Sequence, residues 1–321
     1  MAIAELNTPT AVLPVYTAPP SQPSQANGTG KIAPAAVRQS RRRDLRNLLG
    51  SLPYFAFIAL FLAVPLVVTL VKAFVGADGQ LTFENVAQLG KPQYLAAVQN
   101  SVNLSLFTAG VGGILGLILG WALTQMERPA WLHRTVTSLA AVASQMGGPP
   151  LAYAFISLIG AQGLLTVWLQ QLFGFSLNEV LPVGSFWGIA VAYLYFQMPL
   201  MAILAIPAIQ GVRKEWVESG QSLGAGGVRV LFSIVMPILA PSLAGGFLLL
   251  FANAFSGYAA AYAMAGGAAN LLPISIGYFL SGNVLLNQGL ASALISVMVL
   301  VMLLAMGLRG VLLKRATRWT A

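Results

Sequence analysis

Six long apolar segments restrict what this chain can fold into. They lie at about 52–75, 102–126, 135–159, 186–209, 236–265 and 290–313. Each is long enough to cross the bilayer core as a helix, which takes about 20 residues. A helix satisfies its own backbone hydrogen bonds in lipid, and no alternating strand pattern occurs. We therefore predict an all-α membrane protein with six transmembrane helices in one domain, 47–321.

The composition excludes a soluble globular domain and gives no support for an enzyme. Charged residues make up 8% of the chain, whereas soluble domains carry about 25%. The chain has no cysteine and one histidine, His133, which falls in a short basic loop between predicted spans. No acidic side chain lies inside a predicted span, although such residues commonly mark ion or proton paths. We expect no catalytic residue, no metal site and no cofactor bound by this chain.

The distribution of basic residues predicts the orientation in the membrane. The net charge is +9, and basic residues next to spans favour the cytoplasmic side rather than a nucleic-acid partner. With the N-terminal segment inside, 15 of the 17 Lys and Arg are cytoplasmic, and only Lys72 and Lys91 are not. Both termini are then cytoplasmic. Residues 1–46, rich in Pro, Ser and Gln and ending in an arginine cluster, are expected to be a disordered tail.

Two features inside the spans concern packing and a possible translocation path. Gly112, Gly116 and Gly120 recur every four residues, so they share one helix face and permit close helix contact. The third segment contains Gly147–Pro150, which predicts a broken or kinked helix that either lines a path or simply packs. Polar side chains in the spans have the same two alternatives. The candidate path residues are Gln145, Gly148, Pro149, Gln197, Asn253 and Tyr258.

The segment 213–235, between the fourth and fifth spans, predicts a knob on the cytoplasmic face. Trp216, Gly220 and Leu223 share one face of a short helix, and the glycines from Gly224 onward permit a sharp turn with a positive φ. A second amphipathic helix follows, and Pro237 is expected to open the fifth span. Such a knob is suited to insertion into a groove of a partner.

This segment resembles the "EAA" loop of the permease subunits of ATP-binding-cassette importers. That loop reads Glu-Ala-Ala, three residues, Gly, nine residues, Ile, one residue, Leu-Pro. Glu218, Gly224, Ile234 and Pro237 match the pattern, and "SLGA" at 222–225 is similar to the family's wording. Ser219 and Gly220 replace the two alanines, and Met236 replaces the leucine.

The resemblance implies a type I importer permease fold and a set of partners. These are a cytoplasmic ABC ATPase dimer that binds the ATP, a second permease subunit, identical or homologous, and a periplasmic substrate-binding protein. The chain would lie in membrane lipid, in the bacterial inner membrane. The residues that would couple to the ATPase are Glu218, Ser219, Gly220, Ser222, Leu223, Gly224 and Ala225.

The substrate follows from a weaker similarity. The stretches "FANAFSGYAAAYAM" and "LLPISIGYFL" resemble permeases of the polyamine branch, which includes phosphonate and ferric-iron importers. We expect a small polar solute of the polyamine type, with phosphonate, ferric iron or another small solute as the alternative. Two functions of another class are further alternatives: a secondary transporter and a non-transporting membrane scaffold.

Overall fold

The computed structural model describes residues 52–76, 78–125, 130–281 and 287–317. Within these ranges the chain is helical, apart from connecting segments and one isolated antiparallel bridge between Val75 and Leu81. Six segments are long and apolar enough to cross a membrane, so the predicted number of spans is confirmed. They are Leu52–Lys72, Pro92–Gln125, Gly148–Phe173, Phe186–Gln210, Gly227–Phe255 and Gln288–Leu308. The predicted tail at 1–46 lies outside the described residues.

We number the helices of the described residues in chain order. They are α1 Leu52–Lys72, α2 Glu84–Gln88, α3 Pro92–Gln125, α4 Ala130–Gln145, α5 Gly148–Ile159, α6 Leu164–Phe173, α7 Leu177–Val180, α8 Phe186–Gln210, α9 Lys214–Ser222, α10 Gly227–Phe255, α11 Ala259–Ala265, α12 Leu272–Ser281 and α13 Gln288–Thr317. Two of them contain a π-helical turn, α1 at Ala59–Ala63 and α10 at Leu231–Val235.

The third predicted span is broken, as the sequence indicated, but its bounds were wrong. α4 and α5 are separate helices on either side of the break, and Gly148 has a φ of +69°. Pro149 and Pro150 lie in the first turn of α5, where a missing N–H costs least. The membrane-length segment is consequently Gly148–Phe173 rather than 135–159. His133, expected in a loop, lies in α4.

The fifth predicted span was also wrong at both ends. The helix begins nine residues before Met236, at Gly227, and ends at Phe255 instead of Ala265. The chain breaks at 256–258, where the Tyr193 hydroxyl of α8 donates a hydrogen bond to the Gly257 carbonyl at 2.5 Å. This hydrogen bond gives the Gly257 carbonyl a partner in place of the backbone N–H that would pair with it in a continuous helix.

A bent pair of helices, which the sequence did not predict, follows this break. Ala259–Ala268 and Leu272–Leu280 meet at 81°. Three hydrogen bonds hold the bend against the first part of α3. Asn270 Nδ2 donates to the Gln93 carbonyl (3.1 Å), Asn100 Nδ2 donates to the Asn270 carbonyl (3.2 Å), and the Leu272 N–H donates to Ser101 Oγ (2.7 Å).

The core lies where α3 and α8 cross, with α10 and α13 packed alongside. Tyr193, Phe255 and Leu294 are among its fully buried side chains. Many other apolar side chains are exposed, including Phe61 and Ile118. An outward apolar surface of this extent is what lipid or a second subunit would cover.

Candidate functional site

The segment 213–235 folds as a helix, a glycine turn and a second helix. Gly224 has a φ of +81°, which confirms the expected left-handed turn. The Ala225 N–H donates to the Gly220 carbonyl (3.1 Å) and the Gly224 N–H donates to the Gln221 carbonyl (2.9 Å), so the turn satisfies carbonyls at the end of α9. The coupling role of this segment stays a prediction.

The second helix is continuous with the fifth span. We expected Pro237 to open that span, but the helix runs from Gly227 through the π-helical turn Leu231–Val235 and past the proline. A proline clashes with the carbonyl four residues earlier, here Ser233, and lacks the N–H to pair it. Because Ser233 lies inside the π-helical turn, the wider turn accommodates Pro237 without ending the helix. The second helix of the loop and the fifth span therefore form one continuous helical element.

Gly220 is the point where α9 touches this element. The residue is buried, and a Cβ at Gly220 would lie 2.7 Å from Ile234 Cδ1 and 3.3 Å from Val230 Cγ2. The sequence placed Gly220 on one helix face with Trp216 and Leu223 and among the predicted coupling residues. The structure gives it a packing role, because its lack of a side chain lets the two helices approach.

The outward side of the loop carries exposed apolar side chains. Leu223 is 89% exposed, and Val228 and Phe232 are also exposed. Leu223 was expected to share one face of the helix with Trp216 and Gly220, and within this chain only Gly220 of the three is buried. The loop therefore presents an apolar surface that its own chain does not cover.

The polar residues of the loop are arranged differently from its apolar ones. Ser219 Oγ donates to the Glu215 carbonyl (2.6 Å) and Ser222 Oγ donates to the Glu218 carbonyl (2.8 Å). Both hydroxyls therefore pair within α9, while the Glu218 side chain is exposed. Of the predicted coupling residues, Gly220 is buried and Ala225 is half-buried, and the others are exposed: Glu218, Ser219, Ser222, Leu223 and Gly224.

The glycine stripe of α3 packs against α8, as its spacing predicted; we call this contact the seam. A Cβ at Gly112 would lie 3.0 Å from Gln197 Cβ, and one at Gly120 would lie 2.9 Å from the Ala202 carbonyl oxygen. At Gly116 a Cβ would lie 2.5 Å from Met201 Cβ and would also collide with the Met198 carbonyl. The two backbones approach too closely here for any side chain.

Gln197 lies within the seam, so the structure places it at a helix–helix contact. Its side chain is fully buried, and Nε2 donates to Thr108 Oγ1 at 3.1 Å. Thr108 Oγ1 in turn donates to the Leu104 carbonyl at 2.8 Å, and Gln197 Oε1 has no hydrogen-bond partner. This position favours the packing alternative for Gln197, and its path role stays a prediction.

The other candidate path residues lie at the surface, near two helix breaks. Gln145, Pro149 and Asn253 are exposed, and Gly148 and Tyr258 are half-buried. The breaks themselves meet, because a Cβ at Gly148 would be 3.9 Å from Ala259 Cβ.

Tyr258 lies at the second of these breaks and stacks on a second tyrosine. The rings of Tyr258 and Tyr262 are 5.2 Å apart at an interplanar angle of 21°. Tyr262 is exposed, so the stack presents an aromatic surface beside the two breaks.

Comparisons with known proteins identify the family. Residues 112–318 match the model of the binding-protein-dependent transport system inner membrane component. The chain is 24% identical over 250 residues to the ferric transport system permease protein FbpB of Actinobacillus pleuropneumoniae, covering 77% of this chain and 35% of that protein. It is 24% identical over 220 residues to a spermidine/putrescine permease PotC homolog of Mycoplasma pneumoniae, covering 64% of this chain and 71% of that protein. It is 26% identical over 217 residues to the sulfate permease CysT of Escherichia coli, covering 66% of this chain and 73% of that protein.

Solved structures support the same fold. A bacterial ABC transporter involved in the import of alginate superposes with a TM-score of 0.68 at 16% identity, covering 85% of this chain and 98% of that one. The alginate transporter in complex with its pentasaccharide-bound periplasmic protein gives 0.71 at 17% identity, covering 88% and 98%. The chain spans about a third of the ferric permease's length. With its six candidate spans, the chain belongs to the family of binding-protein-dependent transport system inner membrane components, the permease subunits of ABC importers.

Proposed function

We propose that this permease docks a separate cytoplasmic ATPase through the loop at 213–235. The single observation that carries the proposal is the exposed apolar surface of the loop, formed by Leu223, Val228 and Phe232. Apolar surface of this kind, uncovered by its own chain and rimmed by polar residues, is typical of a protein interface. Membership of a binding-protein-dependent transport family supports a partner that supplies the energy of transport.

The loop is built to pass a displacement into the membrane. A push on α9 would reach Ile234 and Val230 through the contact at Gly220, and both residues belong to the same helical element as the fifth span. ATP would be bound and hydrolysed by the partner. Glu218, Leu223 and Gly224 would contact it or shape the contact.

The remaining partners belong to the same proposal. A second permease subunit, identical or homologous, would complete the path, and a periplasmic binding protein would deliver the solute. Both termini would be cytoplasmic, because 15 of the 17 Lys and Arg fall on that side. The outward apolar surface of the spans is available for the second subunit and for lipid.

For the substrate we propose a small polar solute of the polyamine type. The relatives differ in substrate, with ferric, spermidine/putrescine and sulfate permeases among them. The stacked Tyr258 and Tyr262 favour a cation, because aromatic faces attract ammonium groups. Phosphonate, ferric iron and other small solutes remain the alternatives.

The docking proposal is tested by Gly224→Asp and Glu218→Ala in cells that also express the ATPase. We expect both variants to reach the membrane at normal levels and to lose ATPase co-purification and solute uptake, Gly224→Asp more severely. Gly79→Asp is the matched control: Gly79 also has a positive φ (+75°) and open space around it, but lies between the first two spans. Normal ATPase binding and uptake in Gly224→Asp would refute the docking role.

The substrate proposal is tested by uptake of labelled spermidine, sulfate and ferric iron. We expect spermidine uptake, a large loss in Tyr262→Leu and retention in Tyr262→Phe, because phenylalanine keeps the aromatic face. Tyr54→Leu, another exposed tyrosine, controls for the loss of an aromatic side chain. Uptake of sulfate or iron without spermidine would reject the polyamine substrate and leave the docking role intact.

A further inference from the structure

A large cavity lies at the ends of three spans, beneath α9. Its volume is about 1370 Å³, and it is lined by the last residues of α3 and α8, by α9 and by the first turns of α10. Drug-sized ligand pockets are usually about 300–1,000 Å³, so this cavity suits a larger molecule. Its position at the ends of the spans places it at the boundary between lipid and water.

The walls of the cavity are amphipathic. Leu117, Ile118 and Leu239 line the part of the cavity nearest the middle of the spans, and the Ile118 side chain is 56% exposed. Trp121 and Trp216 also line the cavity, and tryptophan is the residue typical of a membrane–water boundary. A bound molecule could therefore extend an apolar portion from the cavity along α3 into the lipid.

The other wall carries charges of both signs in equal number. Arg213, Lys214, Glu215 and Glu218 all line the cavity, two basic and two acidic within six residues. The Arg213 guanidinium lies 5.5 Å from the centre of the Trp216 ring, which holds it at this wall. The two carboxylates would repel a net anion, and the two basic groups would repel a net cation. A headgroup that carries both charges can pair its negative group with the basic residues and its positive group with the carboxylates.

We propose that this cavity binds phosphatidylethanolamine. The phosphate pairs with Arg213 and Lys214, since guanidinium forms strong charge-assisted hydrogen bonds with phosphate. The primary ammonium donates to Glu215 and Glu218. The acyl chains follow the apolar wall past Ile118. A lipid seated there lies between α9 and the spans, and thus beneath the loop that the proposed docking uses.

The test measures lipid retention by the purified full-length chain in native mass spectrometry, with phosphatidylethanolamine, phosphatidylglycerol or phosphatidylcholine added. We expect one phosphatidylethanolamine per chain under conditions that remove the other two lipids. Arg213→Gln combined with Glu215→Gln should lower this retention at least about tenfold, since both sets of charge-assisted hydrogen bonds are weakened. Glu84→Gln combined with Lys91→Gln removes the same charges at exposed positions outside the cavity, and should change nothing.

Two further arms keep the test decisive if the double variant does not fold. Arg213→Lys with Glu215→Asp should retain the lipid. Phosphatidylethanolamine with brominated acyl chains should quench the tryptophan emission of the wild type, and the quenching should be weaker in Trp121→Phe. Excess unbrominated phosphatidylethanolamine should reverse the quenching, whereas excess phosphatidylglycerol should not. Equal retention of phosphatidylglycerol, wild-type retention in a folded double glutamine variant, or equal reversal by both lipids would overturn the proposal.

Discussion

Glycine has opposite functions in the seam and in the loop. In the seam, Gly116 has an ordinary helical backbone but no room for a Cβ, because α8 lies against it. In the loop, Gly224 has nothing within 4 Å of its ideal Cβ, yet its φ of +81° disfavours any other residue. The first glycine is required by packing and the second by backbone conformation. Substitutions at the two sites should therefore fail for different reasons and to different extents.

The largest effect is expected in the seam. Gly116→Leu should prevent folding, because the obstructing atoms include a backbone carbonyl of α8 that cannot move aside. Gly116→Ala should destabilise the protein by about 3 kcal/mol or more, the upper end of the range typical of overpacking. Monodispersity and thermal stability in detergent measure both.

Gly113→Ala is the control for this prediction. Gly113 lies in the same helix with nothing within 4 Å of its ideal Cβ. Alanine there should be neutral or stabilising by up to about 1 kcal/mol, since alanine is the better helix former. Equal loss at Gly113 and Gly116 would show that the seam is not the cause.

Gly224→Ala should have a smaller and more local effect. Forcing an alanine into the left-handed region costs about 1–2 kcal/mol, and Gly224→Asn should cost less because asparagine tolerates this region. Trypsin cleavage after Arg229 should accelerate in Gly224→Ala. Gly226→Ala, at a φ of −61°, should leave cleavage at the wild-type rate. Similar cleavage in both alanine variants would mean that φ does not control this turn.

The contrast also separates what the sequence could predict from what it could not. Local features were predictable: the number of apolar spans, the four-residue spacing of the seam glycines and the glycine turn. These depend on local geometry, so one segment suffices. The structure agrees with each of them.

The failed expectations depend on contacts between distant segments. The fifth span ends at Phe255, next to the hydrogen bond that Tyr193 donates to Gly257, a residue 64 positions away in the sequence. The bend between α11 and α12 is held by hydrogen bonds to Asn100 and Ser101 of α3. The residues after the first break, Ala259–Ala265, are small or apolar, so hydropathy does not mark the end of the fifth span at Phe255. The packing role of Gly220 likewise depends on Ile234.

The polar pair in the seam offers a finer test of its packing. Thr108→Val should cost about 0.6 kcal/mol, the average for a hydrogen bond between membrane helices, because it leaves Gln197 Nε2 unpaired. Adding Gln197→Met should recover most of that loss, since it also removes the unpartnered Oε1. A double-mutant cycle on thermal stability measures the coupling. If Gln197→Met keeps stability but abolishes uptake, Gln197 belongs to the path and not only to the seam.

The smallest effect is expected at Gly220, where the loop shows the packing constraint of the seam in a weaker form. The atom nearest to its ideal Cβ is Ile234 Cδ1, the far end of a flexible side chain, rather than backbone as at Gly116. Gly220→Ala should therefore be close to neutral, because the displacement of Ile234 opposes a gain of about 0.8–1 kcal/mol in helix propensity. Ile234→Val removes Cδ1, so Gly220→Ala should be more stabilising in that background than in the wild type. The measurement is the thermal stability of the wild type, the two single variants and the double variant. A loss at Gly220 as large as that of Gly116→Ala, and unrelieved by Ile234→Val, would show that α9 is held as rigidly as the seam.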